Sequence, residues 1–173
     1  MGYRRHAKHG TPSDGVMIFH VDNRGNARDR IFDDDADYDP FEKVLKETQP
    51  EVFVRMLSDC LMPNHCNLIL WSLQDGNLGR LMQRLTTKHV RRWYLHHHSV
   101  GTGHLCQGTY KSFSIKKDAH LDTVLLDVER NDVQPTMVKR AEDWTYCFYS
   151  VRTSKTLEIW ELKNGRCVKT RLR

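Results

Sequence analysis

No stretch of this 173-residue chain is apolar for long enough to cross a bilayer, which takes about 20 consecutive residues, and only 39% of it is hydrophobic. The polar, basic start from Met1 to Gly15 lacks the apolar centre of a signal peptide, and His6 stands where a myristoylation signal wants Ser or Thr. Cysteine is sparse. Cys60, Cys66, Cys106, Cys147 and Cys167 are odd in number, widely spaced and without any Cys-x-x-Cys, which argues against a disulfide framework or a structural zinc. The expectation is a cytoplasmic chain, large enough for one domain with its own core. Residues 16–150 would form that domain, between a basic arm (1–15) and a tail (151–173).

Acidic residues are missing from a whole region. Between Gly76 and Lys117 there is no Asp or Glu, while Arg80, Arg84, Lys88, Arg91, Arg92, Lys111, Lys116 and Lys117 all fall there. A one-signed region repels itself unless an anionic partner neutralises it, so these eight side chains are candidate nucleic-acid contacts. The competing reading is a solvated basic helix face. Acids gather instead between Asp29 and Glu51, with Asp33, Asp34, Asp35, Asp37 and Asp39 close together. That segment should lie away from any nucleic acid, as a solvated loop and helix start.

The periodicity gives an alternating order of elements. Val16 to Val21 reads as a strand. Tyr38, Phe41, Val44 and Leu45 recur at helical spacing, with Asp37 or Asp39 as cap and Pro40 in the first turn. Val52 to Cys60 and Leu61 to Trp71 read as two strands that pair through a tight bend near Pro63. From Asn77, one stripe of Leu78, Leu81, Met82, Leu85 and Trp93 and another of Arg80, Arg84, Lys88 and Arg91 mark an amphipathic helix. Tyr110 to Lys116 reads as a further strand, and Leu121, Val124, Leu125 and Val128 as a third helix. The order β-α-β-β-α-β-α predicts an α+β fold of the ferredoxin-like split βαβ type, an antiparallel sheet with helices on one face. Asn164-Gly165, between Leu157–Leu162 and Arg166–Leu172, is a turn signal for a C-terminal β-hairpin.

The most specific stretch is Leu61-Met62-Pro63-Asn64-His65-Cys66-Asn67-Leu68-Ile69-Leu70-Trp71. Its apolar end has the pattern of a strand buried on both faces. Side chains alternate along a strand, so His65 and Asn67 point to the same side and Cys66 to the other. With Phe19-His20-Val21-Asp22-Asn23-Arg24-Gly25 before it, and Gly103-His104-Leu105-Cys106-Gln107-Gly108, Tyr110-Lys111-Ser112 and Val128-Glu129-Arg130-Asn131 after it, the chain resembles the REP-associated tyrosine transposases. These are a branch of the single-tyrosine HUH transposases, and the resemblance runs from about Val16 to Trp144.

The resemblance implies a ferredoxin-like fold and a protein that recognises a short palindromic DNA hairpin with a single-stranded guide beside it, cleaves one strand and rejoins it. In that family two histidines, written His-hydrophobic-His, hold a divalent ion against a DNA phosphate. Here the second is Asn67, a weaker neutral oxygen ligand that still suits a hard cation. The implied metal set is His65, Asn67 and Asn131 around a weakly held Mg²⁺ or Mn²⁺. The family's nucleophile is a tyrosine on the third helix, four residues before the amide position, and Asp127 stands there. A carboxylate is shorter, is repelled by DNA and would give a labile acyl phosphate. It could instead ligate metal or act as a base for water, or be a solvated helix residue after loss of catalysis.

Tyr94, Tyr110, Tyr146 and Tyr149 are alternative nucleophiles that more often serve as packing aromatics. His96, His97 and His98 read as partners of the helix dipole, because consecutive helical positions diverge. His20 and His104 are DNA or core contacts. Three functions compete: an active transposase, a non-catalytic hairpin-DNA-binding protein, and an RNA-binding sheet, for which the strands lack paired aromatics. No membrane partner is expected, and both a monomer and a dimer are compatible with the sequence.

Overall fold

The computed structural model describes residues 17–98, 103–116, 119–130, 144–147, 157–163 and 166–172. The elements run β1 (Met17–Arg24), α1 (Asp35–Glu51), β2 (Val54–Met62), β3 (His65–Ser72), α2 (Asn77–His96), β4 (Lys111–Ile115), α3 (Ala119–Arg130), β5 (Leu157–Lys163) and β6 (Arg166–Leu172). The first four strands form one sheet in the order β2-β3-β1-β4, every neighbour antiparallel. This is the split βαβ arrangement expected from the element order. β5 and β6 pair as a separate hairpin, with Lys163 opposite Arg166.

Strand parity sorts the core into two layers. On one face Val21, Val54, Met56, Leu61, Cys66, Leu68 and Leu70 pack with Tyr38, Phe41, Val44 and Leu45 of α1 and Leu78, Leu81, Met82 and Leu85 of α2. On the other, Ile18, Leu57, Cys60, Met62, Ile69 and Ile115 pack with Leu121, Leu125 and Val128 of α3. The helices therefore do not share one face, as the element order alone had suggested. α1 and α2 cover one side, and α3 lies across β2 and β3 on the other. The reason is in β3 itself: Leu68 and Leu70 point one way and Ile69 and Trp71 the other, so both sides need a cover. Burying Leu121, Leu125 and Val128 is worth about 1.5–3 kcal/mol each.

α1 begins earlier than expected. Asp34 caps it, accepting the Ala36 N–H at 3.0 Å, and acids at Asp35 and Asp37 complement the positive end of the helix. Pro40 consequently falls in the second turn, where its carbonyl accepts from Arg92 Nη1 at 3.0 Å. The outer edge of β2 is covered by residues 144–147: Leu61 N–H donates to Tyr146 O at 2.8 Å, and Trp144 Nε1 donates to Leu61 O at 2.8 Å. Among the described residues no helix is long and apolar enough to cross a membrane.

Candidate functional site

The Met62-Pro63-Asn64-His65 turn is held from outside. Ile31 and Phe32 N–H both donate to Pro63 O, at 2.7 and 3.0 Å, and Gly25 N–H donates to Asn64 O at 2.8 Å. Gly25 fits because nothing larger does: an added Cβ would lie 2.1 Å from Asp29 O. Two of the motifs separated in sequence, the one ending in Gly25 and the one around His65, thus meet at a single turn. Asn64 Oδ1 in turn accepts from His65 Nδ1 at 2.6 Å. That contact puts the proton on Nδ1 and the ring's lone pair on Nε2, the atom a metal would take.

His65 and Asn67 lie on the α3 side of the sheet, the same side as Ile69, and both are buried. The register places Asp22 opposite Asn67 and Arg24 opposite His65. β4 extends this face, with Lys111 opposite Asp22 and Phe113 opposite His20. Sequence reasoning gave His20 no fixed role. In the structure His20 Nε2 donates to Asn67 Oδ1 at 3.1 Å, so the amide oxygen expected as the second ligand is already engaged by an imidazole. Arg24 stood out in the sequence only as part of a motif. Its Nε is buried with no hydrogen-bond partner among the described residues, an orphan donor beside His65 that an incoming anion could satisfy.

Asp127 is exposed on α3, and Asn131 lies outside the described residues, so of the expected metal set only His65 and Asn67 are described. Tyr38, Tyr94, Tyr110 and Tyr146 all pack with the α1/α2 layer. Tyr94 donates to Gly103 O, and Tyr146 stacks on Tyr38 with centroids 4.1 Å apart and donates to Asp35 Oδ1 at 2.6 Å. Among the described residues, then, the tyrosines are held on the other side of the sheet from His65. Tyr149 lies outside the described residues. Cys66 faces α1 and α2, and burial pushes its thiol well above the usual range, so it is neither ligand nor nucleophile for this face.

The basic stripe also lies across the sheet from His65. Arg80, Arg84, Lys88, Arg91 and Arg92 are exposed on α2, although Arg84 pairs with Glu51 at 2.6 Å and Arg92 with Pro40 O. Lys111 and Lys116 are exposed at the two ends of β4 on the far edge, and Lys117 lies outside the described residues. Between α2 and residues 103–110 is a cavity of about 640 Å³, lined by Met82, Val90, Arg91, Tyr94, Leu105 and Tyr110 among others.

A four-stranded antiparallel sheet thus presents His65 and, two residues on, the Asn67 amide from a central strand, with α3 across that face. The chain belongs to the family of IS200-like transposases, which it matches over residues 15–131. Among solved structures it is similar to a REP-associated tyrosine transposase bound to a REP hairpin, at 15% identity and a TM-score of 0.62, over 86% of this chain and 82% of that one. A candidate transposase from Deinococcus radiodurans R1 is 14% identical over 68% of this chain and 93% of its own, with a TM-score of 0.48. No curated protein matches. The first of these likenesses establishes the fold.

Proposed function

We propose that this chain binds hairpin or single-stranded DNA through its phosphates, as a transposase-family protein working in the cytoplasm on a palindromic repeat. Residues 16–150 form the working domain, with 1–15 a basic arm and 151–173 a tail. The observation that carries this is the buried, unpartnered Arg24 Nε opposite His65, because an orphan cationic donor beside a family ligand calls for an anion. Arg80, Arg84, Lys88 and Arg91 add a second basic surface. Lys111, Lys116 and Lys117 supply charge near β4.

The family's metal would be a Mg²⁺ or Mn²⁺ ion held by His65 Nε2, Asn67 Oδ1 and Asn131. The donor chemistry fits a weakly held hard cation, provided Asn67 gives up His20. Such an ion would supply charge stabilisation at a phosphate. His65 is aimed for that by Asn64.

A second reading, a binding protein without cleavage, is favoured by the exposed Asp127 at the nucleophile position. The test is a gel assay with a hairpin oligonucleotide carrying a single-stranded flank and Mn²⁺ present. Salt-sensitive binding with no covalent adduct is expected from the unmodified chain, and some adduct from the double variant Asp127→Tyr with Asn67→His. An adduct from the unmodified chain would exclude the second reading. Hairpin binding indifferent to salt, or no tighter than to plain duplex, would overturn the first.

A further inference from the structure

Three side chains far in sequence from the sheet site converge where α2 ends. The helix stops at His96, His97 caps it with φ −88° and ψ 7°, and His98 turns left-handed at φ +48°. Consecutive positions inside a helix diverge by 100°, but here the last turn is breaking, and the rings of His96 and His97 lie 4.7 Å apart at 79° to each other. Both reach the acidic start of α1. His97 Nε2 donates to Asp37 Oδ2 at 2.9 Å, and His96 Nε2 lies 3.4 Å from Asp34 Oδ2. These carboxylates, and not the carbonyls of their own helix end that the sequence had suggested, are what the two rings meet.

We infer that His96, His97 and Asp37 form a binding site for a borderline transition-metal ion of the Zn²⁺ class, separate from the His65 site. One ligand atom from each lies within 4.8 Å of the other two. A tetrahedral ion bonded at about 2.0–2.2 Å to each donor holds them roughly 3.3–3.5 Å apart. His97 and Asp37 are already closer than that, and His96, the more exposed ring, closes the remainder by rotating its side chain. Asp37 is fixed for the purpose: its carboxylate is 2% exposed and accepts the Asp33 N–H at 2.9 Å. Trp93 packs against His97, with ring centroids 4.3 Å apart. Asp34 is the nearest fourth ligand, since its Oδ1 caps Ala36 and its Oδ2 already faces His96.

Two imidazoles and a carboxylate select Zn²⁺, Co²⁺, Ni²⁺ or Cu²⁺ over Mg²⁺. The two sites would therefore take different metals. An ion here ties the first turn of α1 to the last turn of α2, and because imidazole must be neutral to ligate, protons compete with the metal for the two rings.

The experiment uses the full chain without an affinity tag, titrated with Zn²⁺ by calorimetry and with Co²⁺ by visible absorption, both in excess Mg²⁺. A one-to-one isotherm and the visible bands of tetrahedral Co²⁺ are expected. His97→Ala and Asp37→Asn should weaken binding by more than about tenfold, while His65→Ala leaves it unchanged. His96→Ala keeps the His97–Asp37 hydrogen bond and so the fold, and should weaken binding as well. Absence of Zn²⁺ binding, binding abolished by His65→Ala, or binding untouched by His96→Ala and His97→Ala would each overturn the assignment.

Discussion

Two buried titratable groups pull the stability in opposite directions across one pH window, and separating them tests the packing of the α1/α2 layer. Asp59 on β2 is 3% exposed. Burial first, and the Glu42 carboxylate second, push its carboxyl up from an ordinary 3.8 to about 7, against Lys46. His89 on α2 is 4% exposed, packed between Phe32 and Phe41 with ring centroids 4.8 and 5.0 Å away. Its Nε2 donates to Ile31 O at 3.1 Å. Burial pulls its ring down from 6.5 to about 4, although Asp37 and the Ile31 carbonyl act the other way.

Each tenfold change in proton affinity is worth about 1.4 kcal/mol. Between about pH 4 and pH 7 the folded chain takes up a proton at Asp59 that the unfolded chain does not, so acidification through that window stabilises the fold by up to about 4 kcal/mol. Between about pH 4 and pH 6.5 the unfolded chain protonates His89 and the fold refuses to, so the same acidification costs up to about 3 kcal/mol. The two contributions nearly cancel in the unmodified protein. Asp59→Asn should stabilise the protein near pH 8 and expose the His89 effect, so that stability falls with acid by up to about 1.4 kcal/mol per pH unit. His89→Gln should do the reverse. Urea unfolding followed by tryptophan fluorescence at several pH values, each variant compared with the unmodified chain, reads the difference directly. Parallel profiles for Asp59→Asn and the unmodified chain would refute the reasoning, since Asp59 would then not titrate in that window.

Asn67→His should bind Mn²⁺ more tightly than the unmodified chain in a calorimetric titration, because an imidazole replaces an amide oxygen already engaged by His20; equal affinities would count against a metal at this pair. Arg80→Glu with Lys88→Glu should weaken hairpin binding and flatten its dependence of log K on log salt by about 2, one for each side chain that no longer neutralises a phosphate, as read by fluorescence anisotropy at several salt concentrations. Gly25→Ala should cost about 2–3 kcal/mol in urea unfolding, since the added Cβ meets Asp29 O, whereas Gly76→Ala introduces no contact and should suffer only from its φ of +76°.

Most of the sheet was legible because its signals are local. Apolar periodicity gave the order of elements, and alternation along β3 put His65 and Asn67 on one side and Cys66 on the other. The position of α3 was legible too, in a strand apolar on both faces, but that implication conflicts with placing every helix on one side. What could not be read depends on register between distant strands. Only the pairing of Asp22 with Asn67 and Arg24 with His65 brings His20 to the Asn67 amide and an orphan arginine donor to the histidine. His96 and His97 do lie at a helix end as expected, but their carboxylate partners could not be read, because helical spacing does not continue through His97, where the backbone is already leaving the helix.

The state of the His65 site is best understood by asking which parts of it the rest of the fold depends on. The turn that carries His65 is tied to the core by a continuous chain: His89 donates to Ile31 O, Ile31 N–H donates to Pro63 O, Gly25 N–H donates to Asn64 O, and Asn64 Oδ1 fixes the His65 ring. Removing any of the first three would leave a buried backbone group unpaired, at about 1–3 kcal/mol each, so stability maintains the turn that carries His65 whether or not the ring binds an ion. Nothing comparable holds position 127, which is exposed on the outer side of α3. An amide at position 67 even gains a partner in His20. Position 127 therefore lies where the fold places little demand on side-chain identity, whereas position 67 is buried and its amide is engaged by His20. A change confined to position 127 is expected to leave the sheet, the turn and the basic surface in place.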